Sequence, residues 1–159
     1  MAATILVVED DASVAETIRE VLVAAGYDVQ ETASSGTGAL EASLRVRPAL
    51  VLMDVGLEGS MDGIEAAALL RERVQTRIIY ITGFTDDETL RRAKETAPLG
   101  YLRKPFNPRE LRIAVEIALH QASLEDAIVA REKWFATTLQ SIGDGVLTTD
   151  AQDRVTFVN

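Results

Sequence analysis

The sequence predicts an α/β fold, a doubly wound five-stranded parallel sheet followed by a C-terminal helical extension. Three observations carry this: short apolar, β-branched runs without polar alternation, amphipathic helical stretches between them, and five such alternations within about 120 residues. A strand covered by helices on both faces reads as a continuous hydrophobic run, so the missing alternation points to a parallel sheet.

Taken in order, Thr4 to Val8 is the first buried strand, and an acidic turn follows it. Val14, Ile18, Val21, Leu22 and Ala25 then recur as one helical stripe, with Asp11 placed to cap it and Gly26 to end it. Asp28 to Glu31 reads as a short second strand, Ser35 to Val46 as a helix stopped by Pro48, and Ala49 to Asp54 as a third strand. Ile64 to Arg73 is the third helix and Arg77 to Thr82 the fourth strand. Thr85 to Glu88 reads as a capping box for a helix whose end carries Arg91, Arg92 and Lys94, cations suited to a helix C-terminus. Gly100 to Arg103 is a short fifth strand. Asn107, Pro108 and Glu110 then supply cap, first-turn proline and third-position glutamate for a fifth helix burying Leu111, Val115, Ala118 and Leu119.

Past His120 the strand signal stops. Leu124, Ile128, Phe135 and Ile142 fall on a heptad seam interrupted by Arg131 and Thr138, so the fifth helix is expected to run on as one rod that pairs with a second copy. The alternative is that this stripe docks on its own domain. Trp134 reads as a packing residue, and Val146 to Asp150 with Arg154 to Val158 as a hairpin.

Composition excludes several chemistries. There is no cysteine and one histidine in 159 residues, which leaves no thiolate nucleophile, zinc-thiolate centre or imidazole cluster. His120 has no second imidazole near it in sequence and reads as structural. The formal charge of −9 disfavours nucleic acid as a partner of this segment. That charge sits in the first half, where Met1 to Glu65 carries twelve acidic and three basic residues. No apolar run reaches membrane-spanning length and the N-terminus has no basic leader, so a cytoplasmic location without membrane contact is expected.

In open α/β sheets, ligands bind beyond the carboxyl ends of the strands. There the first strand delivers Glu9, Asp10 and Asp11, the third Asp54, the fourth Thr82, and the fifth Lys104 and Pro105. Crowded carboxylates call for a hard cation such as Mg2+. A carboxylate can also act as a nucleophile toward phosphorus, its new charge being met by a metal, an ammonium and a hydroxyl, the parts that Asp54, Lys104 and Thr82 fit. Asp11 reads as a helix cap rather than a ligand. A Walker loop is missing, and an acidic first turn is unsuited to a flavin phosphate.

Through ILVVEDD (Ile5 to Asp11), LVLMD (Leu50 to Asp54), MDG (Met61 to Gly63), IIYITG (Ile78 to Gly83) and GYLRKPF (Gly100 to Phe106), the chain resembles the response-regulator receiver domain of two-component signalling. The resemblance covers roughly residues 3 to 121 and implies a flavodoxin-like sheet of order 2-1-3-4-5. It also implies Asp54 as phosphoacceptor, Asp10 as direct metal ligand, Glu9 as a ligand acting directly or through water, and Gly56 as a carbonyl ligand to Mg2+. Thr82 and Tyr101 would be the switch pair, with Gly83 leaving room for the ring. Lys104 would be the salt-bridging lysine, and its bond to Pro105 a cis peptide. The loop from Val55 to Gly63 is one residue longer than the family's usual version and lacks its proline. Gly56 and Phe84, two residues beyond the phosphoacceptor and the threonine, would tune dephosphorylation in opposite directions.

Through SIGDGVL (Ser141 to Leu147) and DAQDRVTFVN (Asp150 to Asn159) the tail resembles the opening of a PAS sensor domain, so the expected organisation is a receiver over 1–121, a helical linker and possible coiled coil over 122–140, and the start of that domain over 141–159. A histidine kinase or another output module is expected beyond it. The partners implied are a histidine kinase or phosphotransfer protein and a second copy, met through the helix 4 to helix 5 face or the linker helix. This segment is not expected to be a turnover enzyme beyond its own phosphorylation and dephosphorylation. The competing reading is a degenerate receiver serving only as a dimerisation scaffold.

Overall fold

A computed structural model describes residues 2–83, 86–141, 147–149, 152 and 154–158. Met1, Phe84, Thr85, Ile142 and 143–146, 150, 151, 153 and 159 lie outside them. The chain divides into two compact units, Met1–Gln121 and Ala122–Asn159.

The first unit alternates β1 (Ile5–Val8), α1 (Ala12–Ala24), β2 (Thr32–Ala33), α2 (Gly36–Val46), β3 (Leu50–Asp54), α3 (Gly63–Arg73), β4 (Arg77–Thr82), α4 (Asp87–Glu95), β5 (Gly100–Arg103) and the start of α5 (Pro108–Ser141). The sheet is parallel throughout and ordered β2-β1-β3-β4-β5. Every residue of β1 and β3 is buried. Alternate strand residues feed two apolar layers. Leu6, Val8, Val51, Met53, Ile78 and Tyr80 face one side, with Ala39, Ala66 and Leu70, while Ile5, Val7, Leu50, Leu52, Ile79 and Ile81 face the other, with Ile18, Leu22, Leu111 and Val115. That double coverage explains the unbroken apolar runs.

Helix starts follow local chemistry. Asp11 accepts from the amides of Ser13 and Val14, Ser35 from Gly38, and Asn107 from Arg109 and Glu110. Ala25, expected on the buried stripe of α1, is instead its exposed C-cap, and Gly26 follows at φ +90. The capping box expected at Thr85 to Glu88 is corrected as well: Asp86 is the cap and accepts from Thr89 N.

The second strand also departs from expectation. Asp28 makes only an isolated bridge to Thr4, and the ladder with β1 forms at Thr32 and Ala33. Asp28 still exchanges backbone hydrogen bonds with the β1 edge, its amide donating to Ala3 O at 3.0 Å and its carbonyl accepting from Ile5 N at 2.8 Å, and Val29 is buried, so the pairing lapses over Gln30 and Glu31 before it resumes at Thr32.

In the second unit α5 continues from Ala122, and β6 (Leu147–Thr149) pairs antiparallel with β7 (Val155–Val158). Every α5 side chain from Ser123 to Phe135 is exposed. Among the described residues, no helix is long and apolar enough to cross a membrane.

Candidate functional site

The carboxyl ends of β1, β3 and β5 converge on an acidic cluster with a lysine in it. Glu9 and Asp54 are buried, and Lys104 Nζ reaches both, at 2.8 Å from Glu9 Oε2 and 2.7 Å from Asp54 Oδ2. The second Glu9 oxygen accepts from the same ammonium at 3.0 Å. Asp54 Oδ1 accepts from the amide of Gly56 at 3.0 Å. The Asp10 carboxylate reaches solvent and accepts from the amide of Glu58 at 3.2 Å.

Burial pushes the Glu9 carboxyl above its usual range; the Lys104 hydrogen bonds oppose that and the Asp54 charge reinforces it. Burial would depress the Lys104 ammonium, but its hydrogen bonds to Asp54 and Glu9 outweigh it and hold the group above the ordinary lysine range. Lysine is thus fixed in its charged form between two carboxylates.

One carboxylate oxygen each from Glu9, Asp10 and Asp54 lie within 4.8 Å of one another. A hard divalent cation takes one or two carboxylates and keeps several waters. Buried Asp54 beside an Asp10 carboxylate that reaches solvent suits that demand, so the donor set fits such an ion. Gly56, expected to offer a carbonyl, is placed here by its amide.

Thr82 ends β4, half-buried, one register position beyond Ile81, the partner of Asp54. Tyr101 on β5 is 41% exposed, so its ring is not folded inward in this structure. It stacks on Tyr80, ring centroids 5.9 Å apart. Tyr80 is fully buried; its hydroxyl lies 2.8 Å from Thr96 Oγ1 at the C-cap of α4, and burial pushes its phenol up to about 12. A Cβ at Gly83 would meet nothing within 4 Å, so space exists beside Thr82. The Lys104–Pro105 peptide is cis.

The long loop after Asp54 is held at both ends. Val55 N donates to Ile81 O at 3.0 Å, Gly63 N donates to Val55 O at 3.2 Å, and Val55 and Leu57 are buried. Between them Gly59 adopts φ +124 and stands in solvent.

Sequence reasoning quoted Asp62 and Gly63 only as part of the Met61 to Gly63 motif and gave neither a structural role. A Cβ on Gly63 would stand 1.9 Å from Asp54 O, so only glycine lets α3 start against the end of β3. Asp62 caps α3, forms a capping box with Glu65, and also takes Arg92 of α4 at 2.7 Å. Asp-x-x-Glu before an apolar stretch was a readable signal for the cap; the pairing with Arg92, thirty residues away, had none.

Known proteins place this arrangement in context. The chain is 39% identical over 123 residues to the DNA-binding response regulator MtrA of Mycolicibacterium paratuberculosis, an alignment spanning 77% of this chain and 54% of that protein. It is 32% identical over 115 residues to the transcriptional regulatory protein PdtaR of Mycobacterium tuberculosis, spanning 72% and 56%. The chain therefore spans about half the length of these curated relatives. Among solved structures, the signal receiver domain of a modulated diguanylate cyclase from Desulfovibrio desulfuricans G20 superposes with TM-score 0.74 at 38% identity, over 79% of this chain and 99% of that one. The chemotaxis response regulator CheY4 of Vibrio cholerae gives TM-score 0.68 at 31% identity, over 74% and 99%. The family model described as the response regulator receiver domain matches residues 5–116, which span all five strands and the Glu9, Asp10, Asp54 and Lys104 cluster, and the chain belongs to that family.

Proposed function

We propose that Asp54 accepts a phosphoryl group from a phosphohistidine donor, and that Thr82, Lys104 and Tyr101 turn the new charge into a change of surface. The observation that carries this reading is the buried Asp54 carboxylate, held by the Gly56 amide on one oxygen and by Lys104 on the other. Two fixed donors orient the nucleophile, and phosphoryl transfer is largely a matter of such positioning and of charge stabilisation.

In the transfer, an Asp54 oxygen forms a bond to phosphorus as the bond from phosphorus to the donor imidazole nitrogen breaks, and the imidazole keeps that electron pair. Asp10, Asp54 and Glu9, with the Gly56 carbonyl, would hold Mg2+, which would supply positive charge to the phosphoryl oxygens when bound. Lys104 then exchanges its Asp54 oxygen for a phosphoryl oxygen, and the Thr82 hydroxyl donates to another. The acyl phosphate carries nearly −2 where the carboxylate carried −1, and this added charge of about −1 beside Thr82 biases the end of β4, with the Tyr101 ring, now outside on Tyr80, the group free to follow.

In this reading the donor is a histidine kinase or phosphotransfer protein, and the receiver regulates an output module in cis or a partner in trans. The antiparallel pair β6–β7 is taken as the opening of a PAS domain over 141–159, following a receiver over 1–121 and a linker over 122–140. A second copy is met through the helix 4 to helix 5 face or the linker helix. A cytoplasmic setting and no contact with nucleic acid or membrane by this segment complete the proposal.

Intact-protein mass spectrometry after incubation with a small-molecule phosphodonor tests it, with and without Mg2+, on wild type and Asp54→Asn. A Mg2+-dependent gain of one phosphoryl mass that is lost in the variant is the expected result. No gain in folded wild-type protein would overturn the phosphoacceptor reading in favour of an idle dimerisation scaffold.

A further inference from the structure

Helix α5 continues past Gln121 as a rod with an apolar stripe that nothing on the described chain covers. Leu124 is 53% exposed, Ile128 59% and Phe135 56%. Most of a helix's stability in a protein comes from packing of its apolar face, so a stripe left exposed over this length calls for a cover. The spacing identifies the kind of cover. Leu124, Ile128, Arg131, Phe135 and Thr138 follow one another at steps of four and three, the 3.5-residue period of a helix wound on another helix. Ile117, 60% exposed, stands one heptad before Leu124.

The charges choose the orientation. With Ile128 and Phe135 at a, and Leu124, Arg131 and Thr138 at d, Glu125 and Glu132 both occupy e, while His120, Ala127 and Trp134 occupy g. In an antiparallel pair e faces e, which would bring acid against acid. In a parallel pair e faces g, and that conflict is absent. The parallel arrangement also accommodates the cation in the seam. A d side chain packs into a hole that includes the facing e residue, so Arg131 meets Glu132 of the second copy on either side of the axis. Arg131 and Glu132 make no ion pair within the chain among the described residues. Thr138, the remaining polar d residue, satisfies its hydroxyl on Trp134 O at 2.8 Å.

We infer that the α5 extension is a parallel, in-register homodimerisation coil, with Leu124, Ile128 and Phe135 as its apolar layers and reciprocal Arg131–Glu132 pairs fixing its register. The inference rests on the dimerising linker helix of the proposed function, and it is independent of the phosphoacceptor chemistry.

The absence of cysteine from the sequence makes the test direct. Leu124→Cys, Phe135→Cys and, on the outer face, Lys133→Cys are placed singly in the full chain and oxidised mildly. In a parallel in-register pair both seam thiols meet their own copies, so each seam variant should give at least about tenfold more disulfide-linked dimer than Lys133→Cys. An antiparallel pair cannot bring both Leu124→Cys and Phe135→Cys onto their own copies, so cross-linking at only one of them would overturn the inference. So would a dimer in which neither seam thiol reacts faster than Lys133→Cys, which would move the contact to another face. A chain that sediments as a monomer up to about 100 µM would overturn it too. Recording Asp54 phosphorylation of the same variants by mass keeps a failure of this inference distinct from a failure of the phosphoacceptor reading.

Discussion

Glu9 and Asp54 share the ammonium of Lys104, and that sharing determines what each residue can do alone. Removing the lysine leaves two buried carboxylates facing each other without a counter-ion, an arrangement whose cost grows with burial. Lys104 keeps 28% side-chain exposure, which moderates the loss. In chelator, Lys104→Met is expected to lose about 1–3 kcal/mol in urea denaturation. Mg2+ should then stabilise the variant more than it stabilises wild type, because the ion replaces the missing charge. Equal stabilisation of both proteins would refute a cation site at Glu9, Asp10 and Asp54. That these residues meet was legible in the sequence, because acids, threonine and lysine stand at strand ends that parallel topology brings together. The division of Lys104 between two acids was not legible, since it depends on side-chain reach rather than on spacing.

At the scale of elements, α3 and α4 are joined through one carboxylate. Asp62 caps α3 by accepting from the Ile64 and Glu65 amides and pairs with Arg92 of α4. Burial would raise its pKa, but the Glu65 amide, the Arg92 guanidinium and the Ile64 amide together hold the carboxyl below the usual aspartate range. A depressed folded-state pKa contributes stability that is present above the ordinary aspartate range and is lost as pH falls through the folded value. Asp62→Ala should therefore cost about 1–2 kcal/mol at neutral pH, as loss of a cap and an exposed ion pair. The difference from wild type should shrink in urea midpoints measured near pH 3.5. A pH-independent difference would mean that the carboxylate charge plays no part. Element existence was readable wherever periodicity ran for three turns or more. It failed at β2, where two residues carry the pairing and no period can be recognised.

For the whole molecule, the two apolar layers on either side of the sheet draw on residues no later than Leu119. A fragment ending at Gln121 is therefore expected to unfold in one cooperative transition, with a stability within about 1 kcal/mol of the full chain measured at a concentration where both are monomeric. Loss of cooperativity in that fragment would show that the second unit completes the core. Sequence gave a good account of this level because continuous apolar strands leave few architectures to choose from, and the acidic strand ends narrow the choice further. The hairpin expected after the long helix corresponds to the β6–β7 pair, although two short strands by themselves say little about what they join.

The near-contact of Gly63 with the Asp54 carbonyl has a bearing on how this protein tolerates change. With the Val55 amide tied to Ile81 and the Gly63 amide tied to Val55, both ends of the intervening loop are pinned, and its one strongly bent position, Gly59, lies out in water. An inserted residue can bulge outward there without displacing Asp54, five residues back along the chain. Length at that tip is thus free to drift among descendants of this sequence, and a reporter peptide or affinity tag grafted between Glu58 and Ser60 would find a ready insertion point.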